Sequence, residues 1–256
     1  MSSRLSSLPV TPNAAGLVFS FAAALATFLG GLFVTAAGEK YRVSVKYFMA
    51  IGAGFLLAVV FFEVVPRTVS ELGESFTLWF LGGYLLIHLV EHTWVEHFHF
   101  GEEVHREEVI STRSGPVASI GLTIHAFFDG FSITAASQFS LMVGALMFVA
   151  IALHKLPEGF TVASLNLAAG RSQKTALGWA GLLGVATLLG ALVSGFLNAY
   201  PAEILAFSGG VALYVAASDL MPEVNRLHGI KTPVSVFLGV LFFYLTERFL
   251  HFVLGH

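Results

Sequence analysis

The chain has 256 residues, of which 56% are hydrophobic and 11% are charged. Soluble domains are about 45–50% apolar and about 25% charged, so this composition excludes an ordinary water-soluble fold and predicts an all-α membrane protein. The sequence contains no cysteine, which leaves nitrogen, oxygen and thioether groups as metal ligands. A formal net charge of −3 argues against a nucleic-acid partner and leaves the lipid bilayer as the expected environment.

Hydropathy over a window of about 19 residues predicts eight transmembrane helices. Uncharged runs such as 14–37 and 175–197 have the length that a helix needs to cross about 30 Å of hydrocarbon. The eight helices are expected to form a single transmembrane domain over residues 1–256, with a His/Glu-rich loop at about 97–114. In chain order the predicted helices are 14–37, 46–68, 76–96, 115–138, 141–169, 173–197, 201–222 and 233–254.

Positive charge lies mainly on one side of the predicted membrane protein. Because cytoplasmic loops are enriched in Lys and Arg, the connections after the first, third, fifth and seventh helices are expected in the cytoplasm. An even number of helices then puts both termini outside a cell membrane, inner or plasma, that the chain crosses several times. The cytoplasmic set is Lys40, Arg42, Lys46, Arg106, Arg113, Arg171, Lys174, Arg226 and Lys231, against Arg4, Arg67 and Arg248 on the other side.

The second and seventh helices share a pattern at a constant offset of 156 residues. Each has an acid three residues before a proline, Glu63 before Pro66 and Asp219 before Pro222. The predicted topology runs these helices in opposite directions, which makes them inverted copies. Inverted repeats are typical of transporters, whose substrate sites lie near the membrane midplane. We therefore predict a 3+2+3 arrangement, in which two central helices lie between two three-helix repeats.

The fourth and fifth helices each carry a histidine four residues before an acid. These pairs are His125 with Asp129 in TIHAFFDGFSI, and His154 with Glu158 in ALHKLPEGFTV. Residues i and i+4 share one helix face and lie about 6 Å apart along the axis. An ionised side chain at mid-span costs about 2.5–3.5 kcal/mol on insertion scales. Two carboxylates at that depth therefore require a compensating cation or a water-filled path.

Imidazole and carboxylate groups favour a borderline divalent ion, with zinc first and ferrous iron or manganese as alternatives. A glycine follows each acid, Gly130 and Gly159, and allows the two helices to approach closely. The alternative interpretation is structural. The same residues would then form an interhelical network of hydrogen bonds and ion pairs, with Lys155 balancing one acid.

These motifs resemble those of the ZIP (Zrt/Irt-like protein) family of divalent-metal transporters. HKLPEG at 154–159 is similar to the HxxPEG motif of the family's fifth helix, and HAFFDG at 125–130 is similar to the HNxPEG motif of its fourth. The resemblance covers essentially the whole chain. It implies movement of zinc, or of iron, manganese or cadmium, toward the cytoplasm. It also implies metal ligation by His125, Asp129, His154, Glu158 and, in FFEVVPR, Glu63.

The sequence departs from the family pattern at the second metal of what is often a binuclear site. Ala126 replaces the usual Asn, Lys155 stands where Asp or Asn can occur, and Thr187 replaces a sixth-helix Glu. A protonated ammonium group cannot ligate a cation. We therefore predict a mononuclear site in which Lys155 supplies the charge of the second metal.

Other polar residues lie along the path that the resemblance implies. Asp219 is expected toward the inner end of the seventh helix. Ser164 and Asn166, beyond Glu158, either line an exit path or bond neighbouring helices. The loop at about 97–114 either binds metal loosely through its histidines or is a solvated charged segment.

Two other functions use similar residues. An intramembrane metal-dependent hydrolase would activate a metal-bound water, and a proton-coupled carrier of an organic solute would use the His and acids as a relay. The sequence has no HExxH motif, and a relay gives no reason for two equally spaced pairs. We therefore expect a transporter rather than an enzyme, with Zn²⁺ as transported substrate and no organic cofactor. The sequence leaves open whether the chain forms a homodimer.

Overall fold

The structure is a computed structural model that describes residues 11–37, 42–94, 114–226 and 229–254. Within these ranges the chain forms helices that we label α1 to α8, and the predicted His/Glu-rich loop lies outside the described residues up to residue 113. The helices are α1, Pro12–Ala37; α2, formed by Arg42–Ala58, a π-helical turn at Val59–Val64, and Val65–Leu72; α3, Ser75–Trp94; α4, Ser114–Phe139; α5, Leu141–Ala168; α6, Gln173–Phe196; α7, formed by Pro201–Tyr214, a π-helical turn at Val215–Leu220, and Met221–Asn225; and α8, Lys231–Leu254.

Short polar and glycine residues set several helix ends. The hydroxyl groups of Ser140 and Ser172 accept hydrogen bonds from backbone N–H groups in the first turns of α5 and α6, which satisfies donors that a helix start leaves unpaired. Gly73 after α2 and Gly170 after α5 have φ angles of 55° and 76°. Since side chains disfavour that region, glycine suits the tight turns at these points.

Six helices are long and apolar enough to cross a membrane: α1, α2, α5, α6, α7 and α8. This agrees with the predicted all-α membrane protein: the described residues contain helices and no strands, and several of these helices are suited to cross a membrane. Within the described residues, α3 and α4 do not belong to this set. Both contain polar residues, Glu91 and His92 near the end of α3 and His125 and Asp129 within α4.

The two π-helical turns occupy equivalent positions, because Val59–Val64 and Val215–Leu220 are separated by the same offset of 156 residues. Pro66 and Pro222 each follow two residues after a turn. Proline has no N–H and removes the hydrogen bond to the carbonyl four residues earlier, which favours a local change in helical pitch. Glu63 and Asp219 both lie inside these turns.

Glycines allow α2 to pack closely against α8, and α3 against α7. A Cβ atom at Gly54 would lie 2.0 Å from the carbonyl oxygen of Val236, and a Cβ atom at Gly210 would lie 1.9 Å from that of Phe80. These contacts are related by the offset of 156 residues. The reciprocal contacts obey the same offset and place Gly239 against the carbonyl oxygen of Ile51, and Gly83 against that of Phe207.

The remaining helices form a second set of matched glycine contacts. Gly30 of α1 lies against the carbonyl oxygen of Leu156 of α5, and Gly190 of α6 lies against that of Phe127 of α4. The reciprocal contacts place Gly159 against the carbonyl oxygen of Thr27, and Gly130 against that of Thr187. We call α1, α4, α5 and α6 the first helix group, and α2, α3, α7 and α8 the second helix group.

The two groups meet where α2 packs on α5 and where α4 packs on α7. The largest buried apolar cluster lies at this junction and includes Phe55, Leu146, Met147 and Leu205. The His/acid pairs of α4 and α5 therefore lie at the centre of the molecule, next to the boundary between the groups.

Candidate metal centre

The candidate site is built by one face of α4 and one face of α5. Because of the spacing of four residues, His125 and Asp129 lie one turn apart on the same face of α4, and His154 and Glu158 lie one turn apart on the same face of α5. All four side chains are buried. Close glycine contacts pack α4 against α6 and α5 against α1, so both helices that carry the site are packed within the first helix group.

Three of the predicted ligands come together. The Nε2 atom of His125 lies 3.3 Å from Oδ2 of Asp129, and Nε2 of His154 lies 3.5 Å from the same oxygen. In a tetrahedral zinc site with bonds of about 2.0–2.1 Å, neighbouring ligand atoms lie about 3.3 Å apart. The distance from each histidine nitrogen to the Asp129 oxygen is therefore close to that in a zinc coordination shell, and the ligand atoms of the three residues all lie within 4.8 Å of one another.

A backbone hydrogen bond orients the ring of His154. Its Nδ1 atom lies 3.2 Å from the carbonyl oxygen of Ala150, one turn earlier in α5. When Nδ1 carries the proton and donates to this carbonyl, the lone pair of Nε2 points toward Asp129. Metal-bound histidines commonly use such a second hydrogen bond to fix the ring and its tautomer.

The fourth predicted ligand, Glu158, is held by Lys155. The Nζ atom of Lys155 lies 2.5 Å from Oε2 of Glu158 and 2.7 Å from Oδ2 of Asp129. Lys155 has no exposed surface, so its charge is balanced within the site. The other oxygen of Glu158, Oε1, is buried and has no hydrogen-bond partner among the described residues. The structure thus contains both predicted features, a group of ligand atoms and an ion pair centred on Lys155.

The structure does not bring Glu63 into this group of ligand atoms. Glu63 is buried in the π-helical turn of α2, and its Oε2 atom lies 2.6 Å from Nε of Arg67, one turn later in the same helix. The repeat-related acid, Asp219, has a different environment. Its Oδ2 atom lies 3.3 Å from Nδ1 of His125, so α7 contacts the candidate site directly.

Sequence reasoning missed Glu91. It lies near the end of α3, and its carboxylate belongs with His125 and Asp219 to a group whose ligand atoms are all within 4.8 Å of one another. In the sequence Glu91 lies near the end of the predicted third helix, where a run rich in Glu and His begins, and nothing in that run singled it out as a ligand. The spacing along α3 is consistent with its position. Glu91 lies seven residues, or about two helical turns, after Tyr84 and therefore on the same face of α3, and the Tyr84 ring packs against Tyr214 of α7.

The residues expected along the path are buried between helices. Asn166 donates hydrogen bonds to Oγ of Ser119, at 2.8 Å, and to the carbonyl of Val162, at 2.9 Å. The Oδ1 atom of Asn166 and Oγ of Ser164 have no hydrogen-bond partner among the described residues. The hydroxyl of Thr187 donates a hydrogen bond to the carbonyl of Leu183 at 3.1 Å. This bond lies within α6.

Comparison with known proteins agrees with this chemistry. A family model described as ZIP zinc transporter matches residues 102–246, more than half of the chain. A protein of Salmonella newport named zinc transporter ZupT is 28% identical over 241 residues, covering 85% of this chain and 89% of the relative. The ZupT proteins of Salmonella typhimurium and Salmonella typhi match to the same extent. The chain therefore belongs to the ZIP zinc transporter family.

Proposed function

We propose that this chain carries Zn²⁺ across a cell membrane toward the cytoplasm, and that the ion binds between α4 and α5. The observation that carries this proposal is the buried group of His125, Asp129 and His154, with ligand atoms 3.3 and 3.5 Å apart. Family membership supports divalent-metal transport with zinc as the leading substrate, as does the name of the ZupT relatives, zinc transporter. Neither favours a hydrolase or an organic-solute carrier.

We further propose that the site holds one zinc ion. Lys155 contacts the two carboxylates of the site and in this way supplies a fixed positive charge where a second metal would otherwise lie. Asp129, His125 and His154 would bind the ion. Glu158 would hold Lys155 in place through Oε2 and would ligate the ion through Oε1, which has no hydrogen-bond partner among the described residues.

The transport path follows from the positions of the remaining polar residues. Glu63 with Arg67 would lie toward the outer mouth, and Ser164 and Asn166 toward the inner one. Asp219 contacts His125 and would receive the ion on its way inward. The His/Glu-rich loop at about 97–114 would meet the ion at the cytoplasmic side.

The topology that serves this path has eight crossings of a single domain, with α3 and α4 crossing as well and both termini outside. The glycine contacts related by 156 residues support an inverted 3+2+3 arrangement. Since the close contacts lie within each helix group, the two groups would move against each other as rigid units and open the site to one side at a time.

Zinc uptake into proteoliposomes tests this function. The full chain is reconstituted around a zinc-sensitive dye, and external Zn²⁺ is added. We expect uptake well above that of protein-free liposomes. Since loss of even an outer-shell partner costs about 10–100-fold at metal sites, His154→Ala and Glu158→Ala should each lower the rate at least about tenfold.

Glu247→Gln is the matched control, because Glu247 lies on α8 and pairs with His251 of the same helix. It should transport at the rate of the unmodified chain. Uptake that survives both substitutions at the site would show that the ion passes elsewhere. Absence of uptake by the unmodified chain would contradict zinc transport itself.

A further inference from the structure

We propose that Arg67 selects divalent over monovalent cations at the outer mouth of the transport path, because it occupies the carboxylate of Glu63 until a doubly charged ion displaces it. The inference rests on the proposed function and its orientation, and it adds a selection step before the ion reaches the site between α4 and α5. The Nε atom of Arg67 lies 2.6 Å from Oε2 of Glu63. The two residues are four positions apart and therefore lie on the same face of α2.

This ion pair lies beyond the site along α2. A Cβ atom at Gly52 of α2 would lie 3.4 Å from the backbone nitrogen of His154, so α2 passes the site at Gly52. Glu63 lies eleven residues after Gly52, which at 1.5 Å per residue is about 16 Å further along the helix. Arg67 lies one turn beyond Glu63, and α2 ends at Leu72. The ion pair is therefore closer than the site to the end of α2 that the proposed topology puts outside.

The two side chains differ in exposure. The side chain of Glu63 is 6% exposed and that of Arg67 is 36% exposed. An ion that enters from the outer end of α2 therefore meets the guanidinium group before it meets the carboxylate. Because a buried carboxylate inside a membrane protein is costly without a cation, Glu63 keeps Arg67 until another cation takes its place.

The arginine belongs to one copy of the repeat and not to the other. Asp219 is related to Glu63 by the offset of 156 residues, and the position related to Arg67 in the same way holds Glu223. The Oδ2 atom of Asp219 lies 3.3 Å from Nδ1 of His125, whereas Glu63 is paired within its own helix. The π-helical turn does not require the arginine, because α7 forms the matching turn without one. A role at the outer mouth accounts for this difference between the copies.

Charge determines which cation can replace Arg67 at Glu63. A guanidinium group carries one positive charge and also donates hydrogen bonds to a carboxylate. A sodium ion brings the same charge without those hydrogen bonds, so it does not displace Arg67. A divalent ion attracts the carboxylate more strongly and repels the guanidinium group. Glu63 is therefore available to Zn²⁺ and closed to monovalent ions.

Zinc uptake by Arg67 variants in proteoliposomes tests this proposal. Initial rates are recorded over a range of Zn²⁺ concentrations, in external sodium chloride or in choline chloride of the same ionic strength. Arg67→Gln leaves Glu63 unpaired, so its zinc KM in choline should fall by about two- to fivefold, the range that corresponds to a partly exposed ion pair, with kcat unchanged. Sodium should raise the KM of Arg67→Gln again, because it competes for the unpaired carboxylate. The KM of the unmodified chain should be the same in both salts.

Three further variants separate selection by charge from a structural effect. Arg67→Lys keeps the positive charge and should resist sodium as the unmodified chain does. Addition of Glu63→Gln to Arg67→Gln removes the carboxylate and should abolish the effect of sodium. Arg248→Gln is the matched control, because Arg248 lies near the end of α8 and hydrogen-bonds the hydroxyl of Tyr244 rather than an acid. It should behave as the unmodified chain does in both salts.

The proposal is overturned if Arg67→Gln transports zinc with an unchanged KM, or if sodium has no effect on it. If Arg67→Gln does not fold, Glu63→Gln decides the question. Loss of the carboxylate with Arg67 still present should raise the zinc KM severalfold, and an unchanged KM would contradict the proposal. Absence of zinc uptake by the unmodified chain would instead contradict the proposed function, whereas normal uptake with no effect of Arg67→Gln would remove only the role of Arg67.

Discussion

At the scale of single residues, Lys155 balances the negative charge of the two carboxylates at the candidate metal site. Its side chain has no exposed surface and joins Asp129 to Glu158. Removing one partner of a buried ion pair costs about 3–5 kcal/mol, because it leaves a charge without compensation. We therefore expect the zinc-free protein to depend on Lys155 for its stability.

Lys155→Met should lower the melting temperature of the zinc-free protein in detergent, because Asp129 and Glu158 lose their common cation. Zinc should then raise the melting temperature of the variant by more than that of the unmodified chain, because the ion replaces the missing charge. Lys174→Met, at an exposed position in the first turn of α6, makes the same chemical change as a control. Equal melting temperatures and equal zinc shifts in Lys155→Met and the unmodified chain would contradict the charge role of Lys155.

Single residues also show what the sequence predicts about the site. His125, Asp129 and His154 were predictable because two equally spaced His/acid pairs occur in adjacent membrane helices. The pairing of Glu63 with Arg67 was not, since a side chain of that length can reach neighbours in several directions. Glu91 was hidden by the acidic run that follows it, and only the fold brings it to α7.

At the scale of helices, glycine contacts decide which helices pack together. A Cβ atom at Gly83 of α3 would lie 2.0 Å from the carbonyl oxygen of Phe207 of α7, whereas a Cβ atom at the neighbouring Gly82 would meet nothing within 4 Å. Substituting each of these adjacent glycines by alanine therefore distinguishes two effects. Both substitutions change the intrinsic helix propensity, but only the one at Gly83 disturbs the packing of α3 on α7.

Gly83→Ala should destabilise the protein by about 1–3 kcal/mol, the usual cost of overpacking a close contact. Gly82→Ala should be neutral or should stabilise by up to about 1 kcal/mol, because alanine favours the helix. Thermal unfolding of both variants in detergent measures the difference. Equal stability of the two variants would contradict the close packing of α3 on α7.

The π-helical turns of α2 and α7 could not be predicted from the hydropathy of the sequence. Hydropathy predicted the second and seventh helices at 46–68 and 201–222, and the structure extends them to Leu72 and Asn225. The turns themselves do not change hydropathy, because they alter hydrogen bonding rather than composition. The prolines that follow them, Pro66 and Pro222, were visible in the sequence as part of the repeat.

At the scale of the whole molecule, the repeat relates helix contacts in the first half of the chain to helix contacts in the second half. Contacts of α2 with α8 recur in α7 with α3 at an offset of 156 residues, and the sequence had indicated this offset from α2 and α7 alone. Hydropathy could not reveal which helices would pair, because apolar side chains pack equally well against lipid and against another helix. The division into two helix groups therefore required the structure.

The proposed orientation of the membrane protein can be tested with single cysteines, because the chain has none of its own. Glu74→Cys lies between α2 and α3, and Gln173→Cys lies at the start of α6, both at exposed positions. In intact cells, a maleimide that cannot cross the membrane should label Glu74→Cys alone. Gln173→Cys should react only after permeabilisation. The reverse pattern would show that the termini face the cytoplasm.

The most direct test of a zinc site between α4 and α5 is an anomalous-scattering map, recorded at the zinc edge from crystals of the zinc-loaded chain. We expect a peak about 2.0–2.2 Å from Nε2 of His125, Oδ2 of Asp129 and Nε2 of His154, with Lys155 still bound to Glu158. A zinc-saturated protein with no peak at these three atoms would contradict the assignment of the transport site.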